Sequence, residues 1–411
     1  MQCASSEIEQ GADGTSRTFT RLMAEQLPGI SLEDQILLAG ARVYLGQDEI
    51  SVIQRLLHDP TLIDGQCLVE KGRYNGLIPI LFQVLKRCGD SKVPQDILEG
   101  LKGHVRMMSH FNQCLFQEMV TLTQEFQTAG VNILSYKGPS LALAAYGDLS
   151  LRQPGDLDFL VAFASFEQAS QWFQSRGYIT AEEHAWVKCF RHPSTKIETD
   201  LHHNVAGLYL PFQLDFNGVW SRRGQTMVAG VSLDRLCSED LLMLLCVHFA
   251  KDAHDNQRKL IKACDIAAVI NRSVLDWSLI LEIAHQSKGD RPLKLGLSIV
   301  EMLFGVELPS VMRAYAHSDW VVEQYRRCIC KEFFIARSVH RSILGLVWRA
   351  LFLFQNPFLE WRYDQKLVKL FIHSLVNKAR RRWPHLSRRK PETDKTPPLS
   401  NYAIKSNDAR S

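Results

Sequence analysis

Apolar residues recur at three- and four-residue spacing over 36–44, 48–58, 78–87, 94–103 and 105–129, with turn signals such as Gly89-Asp90 and Pro94 between them. That spacing predicts amphipathic helices. Ser31-Leu32-Glu33-Asp34 reads as a capping signal ahead of the first. About four or five helices therefore precede residue 130. The period then changes. Residues 131–135 and 157–161 read as short strands, with a helix over 139–146 that has Pro139 in its first turn. A helix over 166–175 ends at Gly177, and the extended runs 186–191 and 195–201 are joined by His192-Pro193-Ser194. Helical spacing returns from Leu233 and continues to about residue 377.

This predicts an α+β chain with a small mixed sheet between N-terminal and C-terminal helical domains. The boundaries read as a flexible N-terminus at 1–30, a helical domain at 31–130, a mixed α/β core at 131–232, a helical domain at 233–377 and a disordered basic tail at 378–411. Arg380-Arg381-Arg382 and Arg388-Arg389-Lys390 mark the tail, which has too little apolar content to fold alone. The apolar stretch 342–354 is interrupted by Arg349 and falls short of the roughly 20 residues a spanning helix needs.

With 411 residues and 46% hydrophobic content the chain can bury a sizeable core. Its formal charge of +4 is small for that length, so bulk charge requires no nucleic acid. The ten cysteines lack paired C-x-x-C spacing and the first residues lack a secretory pattern, which points to reduced thiols in a cytoplasm. The basic tail reads as a solubilising segment, with weak contact to anionic lipid or a protein partner as the alternative.

Asp156 and Asp158 stand two apart at the start of an apolar run, a spacing that turns both side chains to one face of a strand. Paired carboxylates suit Mg²⁺ or Mn²⁺. Alternation over 196–202 puts Glu198, Asp200 and His202 on one face, and Asp200, at its centre, is the candidate third carboxylate. Just upstream, Lys137-Gly138-Pro139-Ser140 joins a strand to a helix start. Its backbone N–H groups, with the Ser140 hydroxyl and the Lys137 charge, can receive phosphate oxygens. Arg152 offers a bidentate fork for phosphate, or an ion pair with Asp148 or Asp156. His202 and His203 can ligate a metal or orient Asp200. His248, Lys251 and Asp265 interrupt apolar helices and can close over a nucleotide, or merely cap and bridge. Arg258, Lys259 and Lys262 read as a solvated basic face.

Several blocks carry a family resemblance: Tyr-Lys-Gly-Pro-Ser-Leu-Ala-Leu from 136, Arg-Gln-Pro-Gly-Asp-Leu-Asp-Phe-Leu-Val from 152, Thr-Asp-Leu-His from 199, Ser-Glu-Asp-Leu-Leu from 238 and Cys-Asp-Ile-Ala from 264. Over roughly residues 35–300 the chain resembles the uncharacterised bacterial nucleotidyltransferase family of the polymerase-β-like superfamily. The resemblance puts Gly138 and Ser140 on a phosphate turn, Asp156 and Asp158 on the paired metal ligands, and Asp200 on the third carboxylate. It implies Mg²⁺-dependent transfer of a nucleoside monophosphate from an NTP such as ATP to an acceptor it does not name, whether small molecule, sugar or peptide. The turn departs from the family's Gly-Ser form. Two other readings stay open: a nucleotide-sugar glycosyltransferase with Asp156 and Asp158 as its metal motif, and an inactive binding scaffold.

Overall fold

The computed structural model describes residues 29–334 apart from 90–92, 154, 208–209, 229 and 256, together with Leu27, Leu351 and Phe352. All of them belong to one compact unit, Met1–Gln355. The N-terminal 1–26, the tail at 378–411 and all of the 342–354 stretch but Leu351 and Phe352 lie outside the described residues.

Five helices lead in: α1 Leu32–Tyr44, α2 Ile50–Leu56, α3 Gly65–Asn75, α4 Ile78–Arg87 and α5 Gln95–Thr128. The Ser31 hydroxyl accepts the Asp34 N–H at 3.2 Å, the cap its sequence signals. Helix α1 is buried almost all round, and the one arginine within it, Arg42, is neutralised by Asp48 at 2.5 Å and donates to the Leu303 carbonyl at 3.1 Å. The predicted helices 94–103 and 105–129 are one helix, α5. No proline interrupts them, and Gly103 costs a helix interior only about 1 kcal/mol. Helix α3 carries no apolar stripe, because only Leu68, Gly72 and Asn75 are buried, so spacing alone gives no sign of it.

The sheet follows: β1 Ile133–Ser135, β2 Leu157–Val161, helix α6 Phe163–Ser175, then β3 Ile179–His184, β4 Val187–Arg191 and β5 Glu198–His202. The strand order is β1-β2-β5-β4-β3. Only β2 and β5 run parallel; the other pairs are antiparallel. Alternation sorts side chains by face. Leu157, Phe159, Val161, Phe190 and Leu201 form one cluster with Leu122 and Phe126 of α5 and Phe166 and Phe173 of α6. Leu134 and Leu160 belong to the other cluster, with the lead-in and C-terminal helices. Asp158, Asp200 and His202 sit at the alternate positions of β2 and β5, opposite Leu157, Phe159 and Leu201.

Helix α7 Phe216–Arg222 and the hairpin β6 Gly224–Val228 with β7 Val231–Arg235 come next. The helical block thus begins at Ser238 and not at Leu233, which is a strand residue of β7. It comprises α8 Ser238–His254, α9 Leu260–Arg272, α10 Trp277–Gln286, α11 Asp290–Phe304, α12 Ser310–Ala316 and α13 Trp320–Phe333. Among the described residues no helix is long and apolar enough to cross a membrane, and the nine cysteines are free.

Candidate active site

A cavity of about 690 Å³ opens between the carboxylate face of the sheet and the helices α3, α8 and α9. Its sheet wall is set by strand register. Asp158 of β2 and Asp200 of β5 are direct partners across the parallel pair, so their side chains project side by side. Asp156 lies in the bend before β2 and lines the same cavity. One oxygen each from Asp158 and Asp200 and one ring nitrogen of His202 lie within 4.8 Å of one another, a spacing that a metal ion can bridge. His202 rather than Asp156 completes that trio.

The electrostatics of these groups differ. Burial would raise the Asp158 carboxyl, but the Lys137 charge and the His202 hydrogen bond overcome it and hold the group well below the usual carboxylate range. Lys137 Nζ stands 2.7 Å from Asp158 Oδ1, and His202 Nε2 donates to the same oxygen at 3.2 Å. The other oxygen, Oδ2, is buried and makes no close hydrogen bond among the described residues, with the buried Tyr136 hydroxyl as a neighbour of the carboxylate; His202 Nδ1 is likewise buried and unpartnered. Asp156 is pushed up to about 6 by the neighbouring Asp158 charge and by burial. Asp200 is raised by burial and then by Asp158. Three carboxylates thus share one lysine, and an orphaned buried oxygen stands among them: an oxygen-rich donor set that fits Mg²⁺ or Mn²⁺.

The helical wall carries cations. Lys137 Nζ also donates to His248 Nε2 at 3.0 Å, so that nitrogen is unprotonated and Nδ1–H faces Asp252 Oδ2 at 2.9 Å. Burial pulls His248 down to about 3. Asp252 is held low against its burial by His248, Lys262 and Lys251, the last at 3.8 Å. Lys259 and Arg73 line the same wall. The expected solvated basic face is therefore corrected. Lys262 is largely buried against Asp252 and Arg258 pairs with Glu332 at 2.9 Å, whereas Lys259 is exposed as expected and lines the cavity. Asp252 itself had no signal beyond its i, i+4 spacing from His248 on α8.

Two predicted phosphate groups are engaged elsewhere. Arg152, buried, forms a bidentate pair with Asp265, Nε to Oδ1 and Nη2 to Oδ2 each at 2.9 Å, and Tyr146 donates to Asp265 at 2.8 Å. The partner is thus on α9, not Asp148 or Asp156, and the pair ties α9 to the loop that carries Asp156. Ser140 Oγ donates to the Ser135 carbonyl at 3.1 Å. Gly138 is needed for shape. Its φ of +59° belongs to the left-handed region, and a Cβ there would stand 2.9 Å from the Asp156 carbonyl oxygen. The helix after it is only Pro139–Leu141, continuing as a π turn over Ala142–Tyr146.

A family model described as an uncharacterised nucleotidyltransferase matches residues 61–305. The chain belongs to that family. No curated protein matches it. Among solved structures, the crystal structure of an antigenic nucleotidyltransferase-like protein from Paracoccidioides brasiliensis is 13% identical and covers 50% of this chain and 97% of its own, with a TM-score of 0.31. That structural likeness is slight. The family match takes in every residue of both cavity walls named above.

Proposed function

We propose that this nucleotidyltransferase-family chain is a Mg²⁺-dependent enzyme that moves a nucleoside monophosphate from an NTP to an acceptor hydroxyl. The observation that carries the reading is the Asp158–Asp200 register pair with the orphaned Asp158 Oδ2 beside it. Asp158, Asp200 and His202 would hold the cation, with Asp156 next to them. Bound there, Mg²⁺ supplies neutralisation of phosphate charge and a lowered pKa for an oxygen it touches.

The chain's own residues then divide the remaining work. Lys137, Lys251, Lys259 and Lys262 give the triphosphate a cationic wall, at point charges rather than at the Gly138–Ser140 turn. Asp200, raised by burial, is suited to take the proton of the acceptor hydroxyl. The acceptor oxygen bonds to the α-phosphorus, the bond to the bridging oxygen breaks, and pyrophosphate leaves with that electron pair. Arg152 and Asp265 keep the Asp156 loop in place.

Calorimetric titration of a non-hydrolysable Mg²⁺–NTP analogue into wild type and Asp158→Ala tests this. Binding by the wild type and at least tenfold weaker binding by the variant is the expected result. Equal binding, or none by either, removes the reading.

A further inference from the structure

We propose that Lys137 is the resident counter-ion of the metal seat, and that a divalent cation takes Asp158 by turning Lys137 onto the phosphates of the nucleotide that arrives with it. This rests on the nucleotidyltransferase reading of the site and adds an order of binding to it.

Lys137 Nζ is 2.7 Å from Asp158 Oδ1, close enough to fill the role of a bound cation. The lysine side chain is 12% exposed and the aspartate 2%, so little water screens the pair. Asp200, with an oxygen 4.0 Å from His202 Nε2, has no lysine or arginine at ion-pair distance among the described residues. A divalent ion shared by Asp158 and Asp200 would meet the ammonium at contact distance, and the two repel. The lysine also has somewhere to stay. His248 Nε2 accepts from it at 3.0 Å and is itself held by Asp252 at 2.9 Å, a hold that does not depend on Asp158. Lys137 can therefore give up Asp158, keep His248 and face an anion in the cavity it already lines. Asp156 and Asp252 also act on that ammonium, and an incoming phosphate restores the direct anionic contact that the lost carboxylate supplied. The free ion consequently binds weakly, and the ion with its nucleotide binds well.

The test is a titration of Mn²⁺ alone, followed by electron paramagnetic resonance of the unbound ion, into wild type, Lys137→Met and Lys137→Gln. Glutamine keeps a polar head for His248 and serves if the methionine variant does not fold. Both substitutions are expected to tighten Mn²⁺ about tenfold or more, while affinity for an NTP analogue in the presence of Mn²⁺ falls about tenfold. Opposite signs for ion and nucleotide are what a merely structural lysine would not produce. If wild type binds Mn²⁺ and the neutral variants bind it equally or more weakly, the role given to Lys137 is wrong and the metal seat stands. If none of the proteins binds Mn²⁺, with or without the analogue, the seat itself falls and the inference with it.

Discussion

Asp158 on the sheet and Asp252 on helix α8 are both buried carboxylates on one cavity, and both are held below the usual range against the cost of burial. Their surroundings differ. Asp252 has His248 at 2.9 Å, Lys262 in contact and Lys251 at 3.8 Å, which together outweigh the cost of its burial. Asp158 has Lys137 and His202, yet it stands beside Asp156 and Asp200, each pushed upward by its charge and by burial. The Asp252 carboxylate of the helical wall is compensated by cations on its own and the next helix. The sheet wall keeps surplus negative charge and an unpartnered oxygen. A buried carboxylate becomes a cation seat through what its neighbours leave uncompensated, not through burial alone.

The largest effect that can break this contrast is on the sheet. Asp158→Ala is expected to lower nucleotidyl transfer at least 10⁴-fold, about 5 kcal/mol in the barrier, measured with α-labelled NTP. A loss under tenfold would put the chemistry elsewhere. Next, Asp265→Ala leaves the Arg152 guanidinium buried without its carboxylate and should cost about 3–5 kcal/mol of stability in urea unfolding. Arg152→Met should cost less, because it removes the charge as well as the pair. Equal, negligible costs would show that the pair holds nothing.

How much of this was legible in the chain follows from where each signal resides. Strand β2 has the bounds its apolar run predicts, and the alternation over 196–202 puts Asp200 and His202 on one face, because strand period acts through near neighbours; the pairing of Asp200 with Asp158 is set by the long-range contact of β2 with β5. Strand β3 carries no sequence signal, because all six of its positions are exposed and show no alternation. The Arg152–Asp265 pair joins positions 113 apart in sequence, and the Lys137–His248 bond joins positions 111 apart. No local pattern announces either. Lys262 is unmarked for a similar reason, since its partner Asp252 lies across the α8–α9 corner.

Two smaller predictions sharpen the comparison. Gly138→Ala should destabilise by about 1–2 kcal/mol, from the left-handed φ and the crowding of the Asp156 carbonyl, and should weaken Mn²⁺ binding more than it changes the helical wall. Unchanged stability would show that the turn can relax.

The smallest concerns acid. His248 titrates at about 3 when folded against 6.5 unfolded, so below 6.5 the unfolded chain takes a proton that the folded chain refuses. Its contribution is complete above 6.5 and is lost as pH falls toward 3. Urea unfolding from pH 7.5 to 5.5 should show stability dropping by up to about 1.4 kcal/mol per pH unit from this group. His248→Gln should flatten the slope, and an unchanged slope would show that His248 is not the group responsible.

The contrast between the walls is tested most directly by titrating Mn²⁺ into Asp200→Asn and Asp252→Asn beside wild type, with folding checked by circular dichroism. Each variant removes one carboxylate charge from the same cavity. Asp200→Asn is expected to lose Mn²⁺ binding by a factor of about 100 or more, and Asp252→Asn to stay within about threefold of wild type. Equal losses, or a larger loss at Asp252, would contradict the assignment of the metal seat to the sheet.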